Sequence, residues 1–207
     1  MDKSAKFWNR IANRYSRHQV ADETAYRQKL DVTRSYFRPD MDVLEFGCGT
    51  GTTAISHSPY VKHILAIDFS EKMIEISREK AAASNINNIS FQCSGIDHFS
   101  APDGSFDAVL GLNVLHLVES WEEVILRVHK MLKPGGVFVT STPCVADTIF
   151  RFIKFVAPIG RFVGLMPEIR FFTINQLEKS IMDAGFVIDY KWLPKKHAAW
   201  FIVAKKR

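Results

Sequence analysis

Short apolar runs alternate with longer segments of helical spacing along most of the chain. Five of these runs predict strands: Val43–Phe46, His63–Ile67, Ile89–Cys93, Phe106–Leu112 and Val137–Thr140. Four other segments predict helices: Phe7–Phe37, Thr52–Ser56, Glu71–Ser84 and Trp121–Leu132. Because strands that alternate with helices form βαβ units, the pattern predicts an α/β fold with a parallel sheet.

The C-terminal pattern differs, because two β-rich runs follow each other too closely for a crossover helix. Thr173 is expected to cap a helix that ends before Gly185. The two β-rich runs that follow are Phe186–Leu193 and His197–Ala204. We expect them to pair antiparallel across the turn at 194–196, at the end of a mostly parallel sheet.

The first predicted strand runs into a glycine-rich turn. Its sequence is Glu45-Phe46-Gly47-Cys48-Gly49-Thr50-Gly51. Alternating glycines let the backbone bend sharply and approach a ligand where a Cβ atom would intrude. The helix predicted from Thr52 points its first amide N–H groups back at the turn, where they favour negative charge. The turn therefore predicts a nucleoside-binding site that also suits a carboxylate.

Asp68 follows the second predicted strand, about 20 residues beyond the glycines, where dinucleotide-binding βαβ units place an acid against ribose hydroxyls. The same units require glycine or alanine at the position of Thr52. An NAD-dependent oxidoreductase is therefore disfavoured, and calorimetry with NAD and with other nucleosides would test this function.

The finer spacing Glu45-x-Gly47-x-Gly49-x-Gly51 resembles the first motif of the class I S-adenosylmethionine (SAM) methyltransferases. The resemblance implies a Rossmann-like three-layer α/β sandwich with a seven-stranded, mostly parallel sheet. The implied strand order is 3-2-1-4-5-7-6, with the last strand antiparallel. The Lys133-Pro134-Gly135-Gly136 turn and Asp68-Phe69-Ser70-x-x-Met73 also match this family.

The resemblance implies a set of cofactor-binding residues. Those expected at the methionine portion of SAM are Glu45, Gly47, Cys48 and Gly49, while Asp68 is expected at the ribose and Phe69 beside the adenine. After the third strand the family has Gly-Asp-Ala, but this chain has Ser94-Gly95-Ile96. Backbone groups of Gly95 and Ile96 are therefore expected to read the adenine edge, and Asp97 is left open as a substitute for the missing carboxylate.

The segment Leu112–Leu117, Leu-Asn-Val-Leu-His-Leu, resembles the family's A-x-x-L-H-x segment between cofactor and acceptor. It adds Asn113 to the cofactor-binding residues. His116 becomes the candidate catalytic base, because its ordinary pKa lies near neutrality. The alternative is that His116 only caps or packs against the following helix.

The N-terminal residues Phe7–Tyr15, FWNRIANRY, resemble the start of ubiquinone-biosynthesis-type small-molecule methyltransferases. In such enzymes this helix often covers the cofactor, which implies that Tyr15 or Arg10 meets the SAM carboxylate. The alternative is structural, since Phe7, Ile11 and Tyr15 at helical spacing also suit an apolar face packed on the sheet.

With 207 residues and 47% hydrophobic content, the chain is expected to form one domain. Its expected parts are an N-terminal helical cap (1–38), a SAM-binding core (40–142), an acceptor-side insertion (145–172) and a helix with a C-terminal hairpin (173–207). Three widely spaced cysteines argue against a disulfide framework or a thiolate zinc site, so no metal is expected. The N-terminus has no signal-peptide pattern and no run suits a transmembrane helix, so a cytoplasmic protein is expected.

The segment 145–172 combines aromatic, aliphatic and basic residues. This composition suits the cover of a small acceptor that is apolar or lipid-like and bears a negative group, or a peripheral contact with a membrane surface. Ordinary core packing is the alternative. The predicted function is methyl transfer from SAM to a small molecule by in-line displacement, with S-adenosyl-L-homocysteine (SAH) as product.

Two other functions remain as alternatives. A nucleic-acid methyltransferase is disfavoured, because the chain lacks the N/D-P-P-Y/F box and Pro143 separates Thr142 from Cys144. The net charge of +5 is also mild for a nucleic-acid partner. A non-catalytic SAM-binding partner protein stays open, as does the oligomeric state.

Overall fold

The computed structural model describes residues 3–18, 22–147, 169–195 and 199–207. Seven strands form one sheet in the order β3-β2-β1-β4-β5-β7-β6. They are β1 (Asp42–Phe46), β2 (His63–Asp68), β3 (Ile89–Cys93), β4 (Phe106–Leu112), β5 (Leu132–Thr142), β6 (Phe186–Trp192) and β7 (Trp200–Lys206). β1 to β5 pair in parallel, whereas β7 is antiparallel to both β5 and β6. The predicted fold class and strand order are therefore confirmed.

Six described helices surround this sheet: α1 (Lys3–Arg17), α2 (Glu23–Arg34), α3 (Thr52–His57), α4 (Glu71–Ala83), α5 (Trp121–Met131) and α6 (Ile174–Asp183). On one face, Val32 of α2, Ala54 of α3 and Ile74 of α4 pack against apolar residues of the strands. On the other face, Val124 of α5 and Leu177 of α6 do the same. The result is the expected three-layer sandwich, and α1 packs outside it against α4.

The N-terminal region differs from the single helix predicted over 7–37. The structure has two helices, because Asp22 caps a new one by accepting a hydrogen bond from the Ala25 N–H at 3.0 Å. Residues 19–21 between them lie outside the described ranges. The sequence signal that the prediction missed is the acidic N-cap, since aspartate at such a position starts a helix.

Two strands start at least three residues away from their predicted positions. β5 starts at Leu132 rather than Val137, because Leu132 already pairs with Phe106 before a register shift. β7 starts at Trp200, later than the predicted His197, and residues 196–198 lie outside the described part of the chain. Neither difference changes the topology.

The predicted helix caps are present. The Ser70 hydroxyl accepts from the Met73 N–H at 3.2 Å at the start of α4. Thr173 and Gln176 form a reciprocal capping box at the start of α6. Gly185 follows α6 with φ of 98°, a conformation that favours glycine at a helix end.

The predicted acceptor-side insertion, 145–172, falls mostly on residues 148–168, which lie outside the described ranges. Its described ends are held by the fold. The Arg170 N–H donates to the His116 carbonyl at 2.7 Å, and the Phe172 ring packs on Trp121 with centroids 4.4 Å apart. In the part of the chain that is described, no helix is both long and apolar enough to cross a membrane.

Candidate active site

The glycine turn follows β1 and has the expected sharp geometry. Gly47, Gly49 and Gly51 all have positive φ, at 63°, 54° and 75°. A Cβ atom on Gly47 would lie 2.4 Å from Val114 Cγ2, and one on Gly51 would lie 2.6 Å from Ser77 Cβ. On Gly49 the nearest atom would be Tyr15 Cε1 at 3.8 Å. Gly49 therefore presents its backbone to open space, while the other two glycines allow close packing.

A cavity of about 470 Å³ opens beside this turn. Its walls come from the end of α1, one face of α2, the glycine turn and the carboxyl ends of β4 and β5. Six of the residues predicted to bind the cofactor line it: Tyr15, Glu45, Gly47, Cys48, Gly49 and Asn113. The topology brings them together because β1 and β4 are neighbours whose carboxyl ends meet at the same edge.

The other four predicted cofactor-binding residues, Asp68, Phe69, Gly95 and Ile96, lie at the carboxyl ends of β2 and β3. They are not among the residues that line the cavity. The two groups adjoin each other, because one Asp68 carboxylate oxygen accepts from the Gly49 N–H at 2.9 Å. The other accepts from the Ser70 N–H at 2.9 Å.

The backbone carbonyl of Ile96 is not free to contact an adenine, contrary to the expectation from the sequence. Its carbonyl accepts from the Arg127 guanidinium at 2.7 Å, and its side chain is buried in the core. Gly95 lies beside Phe69, since a Cβ atom on it would sit 3.6 Å from Phe69 Cβ. The Gly95 carbonyl is also paired, because it accepts from the His98 and Phe99 N–H groups at 3.1 and 3.0 Å.

Glu45 carries the least satisfied carboxylate of the cavity wall. Its side chain is 3% exposed, and Oε2 has no hydrogen-bond partner among the described residues. Burial, and then the nearby Asp68 charge, raise the pKa of Glu45 to about 8. The fold thus favours a protonated Glu45 at neutral pH, whereas a cation placed beside it would favour the carboxylate.

Comparison with known proteins finds methyltransferases of similar sequence and fold. Residues 43–136 match the family model described as a methyltransferase domain. A demethylmenaquinone methyltransferase from Symbiobacterium thermophilum is 29% identical over 202 residues, covering 85% of this chain and 80% of the relative. The matched region contains the glycine turn, Asp68 and the segment after β4.

Solved structures share the fold. The Bacillus subtilis YcgJ protein has a TM-score of 0.72 at 17% identity, covering 87% of this chain and 99% of its own. A SAM-dependent methyltransferase from Mesorhizobium loti has a TM-score of 0.68 at 20% identity, with coverage of 85% and 96%. The domain match, the relative and the shared fold together support a class I SAM-dependent methyltransferase. Its methyl donor is accordingly SAM.

Tyr15 of the methyltransferase lies at the end of α1, above the glycine turn. Its ring packs edge-on against Trp8, with centroids 6.2 Å apart. Partial burial, and then the charges of Asp68 and Tyr26, raise the pKa of Tyr15, so its hydroxyl stays protonated at neutral pH. Arg10, the alternative partner for a cofactor carboxylate, does not line the cavity, and its guanidinium lies 5.6 Å from the Phe7 ring centroid.

His116 lies in a 3-10 turn at Leu115–Leu117, just beyond β4. It does not line the cavity that the described residues enclose. Burial lowers the pKa of His116 to about 4, so the ring is neutral at physiological pH. Its Nδ1 atom is buried and has no partner in the described part of the chain. The ring can therefore accept a proton, although as a weaker base than an exposed histidine.

The sequence reasoning missed the contribution of α2 to the cavity. Residues that recur at helical spacing along one face of α2 line it: Asp22, Ala25, Tyr26, Lys29, Leu30 and Thr33. Ser141 at the end of β5 faces them, because the Lys29 ammonium donates to its hydroxyl at 2.8 Å. The periodicity was visible in the sequence, but only the fold shows which face of α2 meets the glycine turn.

His57 was also missed, because nothing in the sequence distinguishes it from a surface histidine. It ends α3, is fully buried and lines the same cavity. Neither ring nitrogen has a partner among the described residues. Burial, and then the Arg34 charge, lower the pKa of His57 to about 3, so it is neutral. Within the described ranges, no cluster of acidic, His or Cys side chains suits a metal ion.

Proposed function

We propose that this methyltransferase transfers the methyl group of SAM to a small, largely apolar molecule bound in the same cavity. The observation that carries the proposal is a single cavity of about 470 Å³ that the glycine turn, Glu45, α2 and the ends of β4 and β5 line together. Donor and acceptor would therefore meet in one cavity.

The chain's own residues suit a bound SAM. The open backbone at Gly49 gives room for the methionine portion, and the unpartnered Glu45 carboxyl oxygen would receive a positive group. Asp68 would take the ribose hydroxyls, because each carboxylate oxygen uses one acceptor site for a backbone N–H and keeps another. Tyr15, Cys48, Gly47 and Asn113 would complete the wall at the methionine portion.

The adenine would lie beyond Asp68, against Phe69 and Gly95. The Ile96 carbonyl already bonds to Arg127, so Ile96 would contribute its buried side chain as a floor and not its carbonyl. The Asp97 side chain is exposed next to this edge and stays open as the acidic partner of the adenine amino group. A ligand of this length would extend from the cavity across the Gly49–Asp68 hydrogen bond.

Methyl transfer mainly requires that the donor and the acceptor are aligned. Methyl transfer from a sulfonium is an in-line displacement that leaves SAH, and holding the two reactants at attack distance supplies much of the rate. A base is needed only where the acceptor must lose a proton. His116 is the proposed base, because burial keeps it neutral and its Nδ1 lacks a partner among the described residues.

The acceptor class follows from the cavity and from the relatives. A relative at 29% identity is a demethylmenaquinone methyltransferase, whose name gives a quinone-type acceptor. The cavity wall also includes Leu30, Leu112 and the Tyr26 ring. We propose a quinol-like aromatic acceptor on this basis. A contact of 145–172 with a membrane surface would suit such an acceptor, and co-flotation with anionic vesicles tests it.

The test measures binding and turnover separately. Calorimetry with SAM and SAH is expected to show binding by the wild type, weakened about 10- to 100-fold in Asp68→Ala through the loss of ribose hydrogen bonds. With tritiated SAM as donor, a short-chain demethylmenaquinol is expected to become labelled only when the protein is present. Absence of SAM binding would overturn the proposal, and binding without transfer to any of a panel of hydroquinones would favour a non-catalytic SAM-binding protein.

A further inference from the structure

Lys29 places a positive charge in the wall of the cavity. Its ammonium donates to the Ser141 hydroxyl at 2.8 Å, at the end of β5. The Ser141 carbonyl in turn accepts from the Asn113 N–H at 2.6 Å, which ties this point to the end of β4. Lys29 thus lies at the edge of the sheet where the acceptor is expected, and its ammonium is held by a hydrogen bond to β5.

This ammonium has little compensation from the surrounding residues. Asp22 is the acid that acts on it, but the Asp22 carboxylate already accepts from the Ala25 N–H at 3.0 Å and from Lys195 at 2.9 Å. Across the described ranges, the Ser141 hydroxyl is the one acceptor recorded for the three donors of Lys29. A partly buried cation in this position favours an anionic ligand.

The charge of the donor strengthens the same argument. SAM carries a positive sulfonium, and the acids near its proposed place are Glu45 and Asp68 on the glycine-turn side. A second cation in the same cavity would repel the sulfonium, and a negative group between them would offset this repulsion. Lys195 also lines the cavity but pairs with Asp22 at 2.9 Å, and His57 is neutral. An anionic oxygen on the acceptor would satisfy both cations.

We propose that Lys29 binds an anionic oxygen of the acceptor, so that the acceptor is a phenolate, enolate or carboxylate. This inference rests on the proposed methyl transfer in the same cavity. A phenol or enol acceptor releases its proton to solvent as it binds, whereas Lys29 keeps its own protons. Lys29 therefore acts as a specificity and positioning residue, and the acceptor's electron pair forms the new bond to the methyl group as the bond to sulfur breaks.

The probe is 4-nitrophenol, whose visible absorbance reports its ionisation, titrated into SAH-loaded protein. Its neutral counterpart is 4-nitroanisole. The variant is Lys29→Met, and the matched control is Lys62→Met, which removes an exposed lysine that pairs with Asp42 outside the cavity. We expect the wild type to bind the phenolate and to lower the pKa of the bound probe. Lys29→Met is expected to weaken phenolate binding at least about tenfold and leave 4-nitroanisole binding unchanged.

The outcomes separate this inference from the proposed function. Equal phenolate affinity in the wild type and Lys29→Met overturns the inference about Lys29 but not the proposed function. An unshifted pKa of 4-nitrophenol bound to the wild type also overturns it, and this measurement needs no variant. A loss of SAH affinity in Lys29→Met, with 5′-methylthioadenosine affinity unchanged, assigns Lys29 to the cofactor carboxylate and also overturns it. Failure of the wild type to bind SAH overturns the proposed function itself.

Discussion

Three glycines of the turn share a backbone conformation but differ in what surrounds them. Gly47 and Gly51 have side chains of Val114 and Ser77 within 3 Å of a Cβ position, so they are required for packing. Gly49 faces open space, with Tyr15 at 3.8 Å as the nearest group. Substitution of Gly49 therefore tests ligand approach with less disturbance of the core than substitution of its neighbours.

We expect Gly49→Ala to weaken SAM binding at least about tenfold, because its methyl group enters the space proposed for the ligand. The matched control is Gly135→Ala. Gly135 also has positive φ, at 76°, and has no atom within 4 Å of its Cβ position. Both variants are expected to lose about 1–2 kcal/mol of unfolding free energy from the strained φ. Calorimetry with equal SAM affinities for both variants would contradict the proposed site.

His116→Ala is expected to lower kcat well over tenfold while SAM affinity stays nearly unchanged, if His116 is the base. Because burial lowers the pKa of His116 to about 4, wild-type turnover is expected to fall only as pH drops toward that value. Measured pH–rate profiles of the wild type and of His116→Gln check this. A wild-type profile that falls already near the ordinary histidine value of 6.5 would argue against a buried base.

At the scale of elements, α2 and α6 take opposite roles. α2 covers the cavity on one face of the sheet. α6 packs on the other face and holds the described ends of the 145–172 segment, since the Ile174 N–H donates to Asp147 at 2.6 Å. A substitution at the start of α6 is therefore expected to change the stability of the protein and to leave the cofactor site unaffected.

Thr173→Ala removes the side chain that accepts from the Gln176 N–H at 3.2 Å. We expect the free energy of unfolding to fall by about 1 kcal/mol, the usual value of such a cap. Thr173→Ser keeps the hydroxyl and is expected to stay close to the wild type in urea unfolding. SAM affinity is expected to be unchanged in both variants. An unchanged unfolding free energy in Thr173→Ala would mean that the capping box does not stabilise α6.

At the scale of the whole molecule, buried titratable groups make stability depend on pH in two directions. The folded state holds the Glu45 proton more tightly than the unfolded chain, raising its pKa from 4.5 to about 8. Its contribution is therefore full below 4.5 and is lost as pH rises through 8. His57 has the opposite sign, because its pKa falls from 6.5 to about 3, so its contribution is lost as pH falls below 6.5.

Between pH 6.5 and 8 the Glu45 contribution is expected to dominate, so wild-type stability falls as pH rises through this window. Glu45→Gln removes the titrating group and is expected to flatten the fall. The control is Glu75→Gln, which changes an exposed acid paired with Lys72 and is expected to follow the wild type. Urea unfolding at pH 6.5 and at pH 8 measures this change in the free energy of unfolding. A Glu45→Gln curve as steep as the wild type would mean that Glu45 is already ionised in the folded protein.

Local sequence determined the elements that depend on neighbouring residues. The alternation of apolar runs predicts the strands, and Ser70, Thr173 and Gly185 mark helix ends, because caps and periodicity act over a few residues. The spacing of the glycine turn and Asp68 also predicted a nucleoside site. The break between α1 and α2 was missed, although Asp22 marks it as an N-cap.

Tertiary structure alone decided which side chains meet at the site. The pairing of β1 with β4 and of β4 with β5 brings Glu45, Asn113 and Ser141 to one edge. Lys29 and His57 join them only because α2 and α3 pack on that face of the sheet. The raised pKa of Glu45 and the lowered pKa of His57 likewise come from burial by residues distant in the chain. Contacts and desolvation of this kind depend on the folded packing and have no signature in local spacing.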